Sequence, residues 1–248
     1  MNLNNKIAVV TGGMSGMGKA CVQMLLAHNV KVVVWDKTIV KNDIEPTLSV
    51  ECDVSSDDAV VNALALTLKQ VGIPSICINC AGIAPAKRMV GKNGVMPLTD
   101  FQTVININLV GTFNVMRLVA NAMLQLPSAI PERGVIINTA SIAAFEGQIG
   151  QMAYSASKGG VVSMTLPAAR ELAQHAIRVN TIAPGLVATP MLLNMPQNVQ
   201  DSLAAMVTFP QRLGKPEEFA SLVLQLITNE FINGEVIRFD GAMRMQSK

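Results

Sequence analysis

Lys6-Ile-Ala-Val-Val-Thr-Gly-Gly-Met-Ser-Gly-Met-Gly18 is the stretch whose reading decides the fold. Its first half is a short apolar run, the pattern of a parallel strand buried on both faces. A cluster of glycines follows, and then a helical pattern through Leu26. Glycines let a backbone approach a diphosphate closely, and a helix N-terminus offers free N–H groups at the positive end of its dipole. The spacing is Gly12-x-x-x-Gly16-x-Gly18, not the general G-x-G-x-x-G fingerprint. Alone, it serves a tight strand–helix turn equally well.

Working outward, the same alternation repeats. Lys31-Val-Val-Val-Trp-Asp36 reads as a second strand and Leu48-Ser-Val-Glu-Cys-Asp53-Val54 as a third, with a helix from Ser56 to Gln70. Ser75-Ile-Cys-Ile-Asn79-Cys80-Ala81-Gly82 is a fourth strand and turn. A helix starts near Thr99-Asp100, and Gly134 to Ser141 forms a fifth strand. A further helix runs from Ala153 to Gln174, where Pro167 should kink it. Ile177–Ile182 and Glu235–Gly241 complete the series. Short apolar strands alternating with helical patterns imply one Rossmann-type α/β domain over residues 1–248, a doubly wound parallel sheet of about seven strands.

Two positions promise chemistry. Tyr154, the only tyrosine, and Lys158 stand four residues apart, so on a helix they share a face. A free tyrosine ionises near ~10, and a fixed ammonium beside it favours the phenolate. Ser141 lies thirteen residues upstream at a strand end, where its hydroxyl can hold a substrate oxygen. A solvated helix face is the plain alternative for a lone Tyr-x-x-x-Lys pair. Asp36, eighteen residues after Gly18, can accept hydrogen bonds from adenosine ribose hydroxyls and would repel the additional phosphate of NADP. That points to NAD, although Lys19 and Lys37 are nearby cations.

Taken in order, these motifs resemble the short-chain dehydrogenase/reductase family, whose active-site signature Tyr154-Ser-Ala-Ser-Lys158 matches. The resemblance implies an NAD-dependent oxidoreductase with Ser141, Tyr154 and Lys158 as its catalytic set. It makes Asn108, within Ile105-Asn-Ile-Asn108, the holder of a water in a proton relay. It assigns cofactor contacts to Gly12, Ser15, Gly16, Met17, Gly18, Asp36, Asp53, Val54, Asn79, Ala81 and Gly82, besides Tyr154 and Lys158. Asp53 would face the adenine amino group, while Asn79 and Gly82 would support the floor. Cys80 replaces the second asparagine of the family's Asn-Asn-Ala-Gly motif. Pro184, Gly185 and Thr189 would embrace the nicotinamide.

Arg133 to Gln151, Gly111 to Ala120 and the ending Asn233 to Met245 are similar to one subfamily, the type 2 3-hydroxyacyl-CoA dehydrogenases. An acyl-CoA, or another apolar hydroxy or keto compound, is then the substrate, held by Ser141, Tyr154, Gln148 and Leu186. The basic loop 83–97, with Lys87, Arg88 and Lys92, falls beside the cleft where phosphates of a carried substrate would lie. The Met-rich segment 186–213 reads as a lid. Small residues on several faces of the Ala153–Gln174 helix, with the family's habit, point to a homotetramer.

Composition limits the alternatives. Half the residues are hydrophobic, 15% are charged and the net charge is +2, which leaves no basic footprint for nucleic acid. No unbroken apolar run reaches the ~18 residues of a membrane span. The N-terminus enters the first strand without the apolar core of a signal peptide or the longer leader of mitochondrial relatives, so a cytoplasmic location is expected. Cys77-x-x-Cys80 closes a strand and lacks a second pair, so it is structural, with Cys21 and Cys52. Only two histidines are present, which gives no support to a His-based hydrolase or metal site. Three rivals stay open: a broad alcohol or hydroxysteroid dehydrogenase, a reductase of acyl carrier protein substrates, and an NAD-binding regulator without turnover.

Overall fold

A computed structural model describes residues 1–40, 44–92 and 94–247. The first half of the chain runs β1 (Ile7–Thr11), α1 (Gly16–Ala27), β2 (Lys31–Asp36), β3 (Leu48–Glu51), α2 (Asp57–Gln70) and β4 (Ile76–Asn79). A small hairpin, β5 (Val90–Gly91) and β6 (Gly94–Val95), precedes α3 (Leu98–Ile105) and α4 (Gly111–Met123). The second half runs β7 (Gly134–Thr139), α5 (Met152–Ala173), β8 (Ile177–Pro184), α6 (Pro190–Leu193), α7 (Gln197–Ala205), α8 (Pro216–Thr228) and β9 (Val236–Phe239).

The main sheet has seven strands in the order β3-β2-β1-β4-β7-β8-β9, with every pairing parallel. Alternate residues feed two core layers, as the two-residue period of a strand requires. Val10, Val34, Ile78 and Ile137 pack with Phe219, Val223 and Leu226 of α8 and Leu25 of α1. Val9, Val33, Cys77 and Ile136 pack on the other face with Val115 and Val119 of α4 and Val60 of α2. The single tryptophan, Trp35, is fully buried there, and its indole N–H donates to Thr67 Oγ1 at 3.1 Å. Strand order reverses at the β1–β4 boundary, so the connections leaving those strands diverge to opposite faces. A crevice opens between them, the place where ligands bind in open α/β sheets.

Local signals set the helix boundaries. Ser56 caps α2 by accepting from the Ala59 N–H, and Asp57 and Asp58 occupy the first turn. Pro216 opens α8, where the Glu218 carboxylate accepts from the Lys215 N–H at 2.8 Å. Helix α5 continues through Pro167 without ending.

Two features depart from the sequence reading. The helix after the hairpin is interrupted by a π-helical turn, Asn106–Val110, which inserts an extra residue between α3 and α4. The continuous run Leu98–Met123 is also long and apolar enough to cross a bilayer by length and composition, and half of it is buried inside the fold. A search for unbroken apolar residues passes over it because polar side chains punctuate it.

Candidate active site

The expected cofactor cradle is shaped by what its glycines lack. A Cβ on Gly18 would lie 2.2 Å from the Gly12 carbonyl oxygen, and one on Gly12, at φ +64°, would press within 2.9 Å of the Ala81 backbone. Only glycine allows the loop to fold onto both α1 and the end of β4. Exposed Ser15 precedes α1 in extended conformation, and no side chain caps the helix start. Thr11 Oγ1, at the end of β1, accepts from the N–H groups of Cys80 and Ala81 at 3.1 and 3.2 Å, locking the two sides of the crevice. Thr189 sits over the loop, its methyl 3.2 Å from where a Gly16 Cβ would be. Pro184 ends β8, and Gly185 donates its N–H to Phe239 O at 2.9 Å. These residues, with half-buried Met17, fit a dinucleotide whose diphosphate would be held at the helix start.

Asp36 ends β2 with its carboxylate already oriented: Oδ2 accepts from the Met14 N–H at 3.0 Å and Oδ1 from the Thr38 N–H at 3.3 Å. Asp53 lies just beyond β3. Its Oδ1 accepts from both the N–H and the hydroxyl of Ser55, and its Oδ2 pairs with Lys37 at 2.9 Å. The Ser55 hydroxyl and Lys37 hold the Asp53 carboxyl down at about 2. Neighbouring Val54 is buried, and its side chain would meet a Cβ on Gly111 at 2.6 Å. Asn79 is buried and spends its amide on Asn138, 2.9 Å away across the β4–β7 boundary.

The residues expected to transfer the proton come together at the carboxyl ends of β4 and β7. Ser141 lies just beyond β7, its hydroxyl accepting from the Ala143 N–H at 3.1 Å. Tyr154 and Lys158 are in the first two turns of α5, with the ammonium 5.9 Å from the tyrosine ring centre. Lys158 is buried, and its Nζ donates to the Thr139 carbonyl at 2.7 Å. Burial pushes the Tyr154 hydroxyl above its ordinary value, and the Ser141 hydrogen bond pulls it only partly back. Burial likewise brings the Lys158 ammonium down to about 8. The spacing alone suggested a tyrosine pulled down by the ammonium. In the folded chain desolvation by burial dominates both groups, and the ammonium's hydrogen bond goes to Thr139.

Asn108 lies in the π-helical turn and is fully buried. Its Oδ1 accepts from the Ile83 N–H at 2.9 Å, and its Nδ2 donates to Ile83 O at 2.8 Å and Ser157 Oγ at 3.1 Å. The side chain is thus committed to tying the post-β4 loop to α5. A Cβ on Gly82 would come within 3.1 Å of Asn108 Oδ1 and 3.6 Å of Lys158 Nζ, so glycine there lets the three segments close.

On the substrate side, Gln148 is in the loop between Ser141 and Tyr154. Its N–H donates to Gln151 Oε1 and its side-chain amide to Gln246 O at 3.2 Å, so that amide holds the C-terminal segment. Leu186 packs beside Ile142, Val207 and Met243 in a small apolar cluster. The basic loop forms the β5–β6 hairpin, of which residue 93 lies outside the described residues; Lys87 pairs with Asp100 at 2.5 Å, while Arg88 and Lys92 are exposed. Lys87 also donates its N–H to Gly150 O at 2.8 Å. The four cysteines are free thiols. Cys80 accepts from Thr139 Oγ1 at 3.5 Å, and a hydrogen bond from Cys21, with Thr139 and the Lys158 charge, holds its thiol below the usual range.

Sequence reasoning passed over Thr11, Thr139 and Glu146. The first two act through strand-end atoms that carry no motif. Glu146 has a local signal, a carboxylate between Ser141 and Tyr154, but its partners are about ninety residues away along the chain, which no local pattern reveals.

The chain is similar to known proteins over nearly its whole length. The family model described as short chain dehydrogenase matches residues 6–200. The 3-hydroxyacyl-CoA dehydrogenase type-2 of Rattus norvegicus is 52% identical over 249 residues, covering 97% of this chain and 95% of the relative. That of Homo sapiens is 51% identical with the same coverage. The crystal structure of 3-hydroxyacyl-CoA dehydrogenase type-2 from Mycobacterium avium superposes with a TM-score of 0.91 at 39% identity, covering 99% of this chain and 98% of that one.

Proposed function

The chain belongs to the short-chain dehydrogenase family, and on that premise we propose that it interconverts 3-hydroxyacyl-CoA and 3-oxoacyl-CoA thioesters with NAD. Family membership brings a nicotinamide cofactor. The observation that carries the reading is the convergence of Ser141, Tyr154 and Lys158 beside the glycine-shaped crevice. Supporting it are the 3-hydroxyacyl-CoA dehydrogenase type-2 relatives, which match almost the full chain at about half identity.

When bound, a nicotinamide would supply the acceptor for the hydride from the hydroxyl-bearing carbon. This chain's residues handle the proton. Tyr154 Oη accepts the hydroxyl proton in oxidation and returns it to the ketone oxygen in reduction. Ser141 Oγ hydrogen-bonds the same substrate oxygen and stabilises it as charge develops. Lys158, charged below about 8, supplies positive potential beside the tyrosine and would hold the nicotinamide ribose. With Tyr154 pushed up by burial, the free enzyme at neutral pH has its proton in place for reduction. Asn108 links the site to water through its backbone, since its side chain is already engaged. Gln148, a contact for the thioester carbonyl by this reading, would have to exchange its bond to Gln246 for it.

NAD is favoured over NADP because the Asp36 carboxylate is oriented at the end of β2 and Lys37 is drawn to Asp53. A 2′-phosphate would meet the first and lose the second. The exposed cations Arg88 and Lys92 are suited to phosphates of coenzyme A. We further propose a homotetramer in the cytoplasm, supported by exposed apolar side chains on the α4–α5 side and by the free thiols.

The test is NADH oxidation with acetoacetyl-CoA, run beside an acetoacetate ester, a ketosteroid and NADPH, and repeated with Tyr154→Phe. The expected result is turnover with the thioester and NADH, with kcat lowered by about 10²–10⁴ in the variant and NADH binding kept. Equal turnover of simple ketones would move the reading to a broad alcohol dehydrogenase. Binding of NADH without any turnover would move it to a regulator.

A further inference from the structure

The loop between Ser141 and Tyr154 is held from both sides. From one side, the basic loop ahead of the hairpin donates Lys87 N–H to Gly150 O. From the other comes the segment after β9. Ile149 N–H donates to Ser247 O at 3.1 Å, and the Gln148 amide to Gln246 O. At the centre of this second attachment is Glu146. Its Oε1 pairs with Arg238 at 2.8 Å and with Arg244 at 3.4 Å, and its Oε2 accepts from the Met245 N–H at 2.9 Å. Asp240, nearly buried, completes the cluster by pairing with both arginines. The Arg238 guanidinium also lies 5.3 Å from the centre of the Phe145 ring.

This attachment delivers apolar side chains to the site as well. Met243 is fully buried and Met245 partly so, in a cluster with Ile142, next to Ser141, and with Leu186, Met206 and Val207 of the lid region. One carboxylate therefore ties together the loop that follows the catalytic serine, the last strand, and the methionines that back the lid. Glu146 itself bonds to Arg238, Arg244 and Met245, while Asp240 at the edge of the cluster lies close against Gly185 of the expected cofactor cradle.

We propose that Glu146 is a positioning residue for the substrate side of the reaction, clasping the segment 240–247 to the loop 145–151 so that both present one fixed wall to the acyl thioester. This rests on the functional reading given above. An acyl chain meeting a preformed wall is bound without having to order two loops, so the clasp acts on substrate affinity and leaves hydride transfer alone.

The full-length protein, Glu146→Gln, Glu146→Asp and Arg244→Gln are to be compared in two ways. Hydrogen exchange of peptides covering 144–151 and 241–247 reads the clasp directly. Steady-state kinetics with acetoacetyl-CoA, together with NADH binding by fluorescence, read its consequence. In Glu146→Gln both peptides should exchange faster together. KM for the thioester should rise about tenfold, with kcat within about twofold and NADH affinity unchanged. Glu146→Asp, which keeps the charge, should recover part of the loss. Arg244→Gln, on a largely exposed side chain, should shift KM the same way by less, and serves if the Glu146 variants fold poorly. An unchanged KM, or a parallel loss of kcat and NADH affinity, would overturn the proposal. If the wild type turns over no acyl thioester, the functional reading falls, and exchange alone decides. Joint loosening then upholds the clasp, and loosening of one segment only overturns it.

Discussion

Lys158 is the residue at which burial and function pull hardest against each other. Its ammonium is buried and its pKa falls from the ordinary value to about 8. Between about 8 and the unfolded value near ~10.4 the unfolded chain still holds a proton that the folded chain has shed, so raising pH over that window favours folding through this group. Below about 8 both states are charged and the full desolvation penalty stands. The buried cysteines have the opposite sign, since burial raises Cys52 to about 11 and Cys77 to about 12. The clean measurement is therefore the difference between wild type and Lys158→Met, by denaturant titration at several pH values without cofactor. The methionine variant should be more stable at pH 7, with its advantage flat up to about 8. It should then shrink by about 2–3 kcal/mol towards pH 10. A constant difference would mean that the lysine is not desolvated.

At the scale of elements, the π-helical turn gives two asparagines opposite fates. Asn108 is buried and satisfies both backbone groups of Ile83, while Asn106, two residues earlier, is exposed. Asn108→Ala would leave a buried N–H and carbonyl without partners and should cost about 2–3 kcal/mol. Asn106→Ala should stay within about 0.5 kcal/mol, both read from urea midpoints. The parallel strands were legible in the sequence because a strand buried on both faces must be apolar throughout, as Val9-Val10 and Ile76-Cys77-Ile78 are. Ser141, Tyr154 and Lys158 were legible too, since strand end and helical spacing bring them together. The π-helical turn was not, because its extra residue leaves no mark in a helical periodicity. The β5–β6 hairpin and the Glu146 clasp also escaped: both are held by bonds between positions far apart in the chain. The charges of Lys158 and Tyr154 needed burial to be known, and spacing carries no measure of burial.

The whole molecule leaves Val110, Phe113 and Leu166 exposed, large apolar groups on the helices next to the site. If these mediate assembly, light scattering should give a mass about four times the 26.4 kDa of one chain. Phe113→Glu should then shift that mass to a smaller species. A wild type that stays monomeric at micromolar concentration would remove the tetramer from the picture. The links that build the site also span long stretches of chain. Asn79 meets Asn138 across 59 residues, Asn108 meets Ser157 across 49, and Glu146 meets Met245 across 99. Contacts that enclose such long loops carry a closure entropy that the short-range contacts of a helix do not. A partly folded chain can therefore have most of its helices and still have no site. Enzymatic activity reports completed folding more stringently than helical content does, and a half-made chain is silent rather than poorly selective.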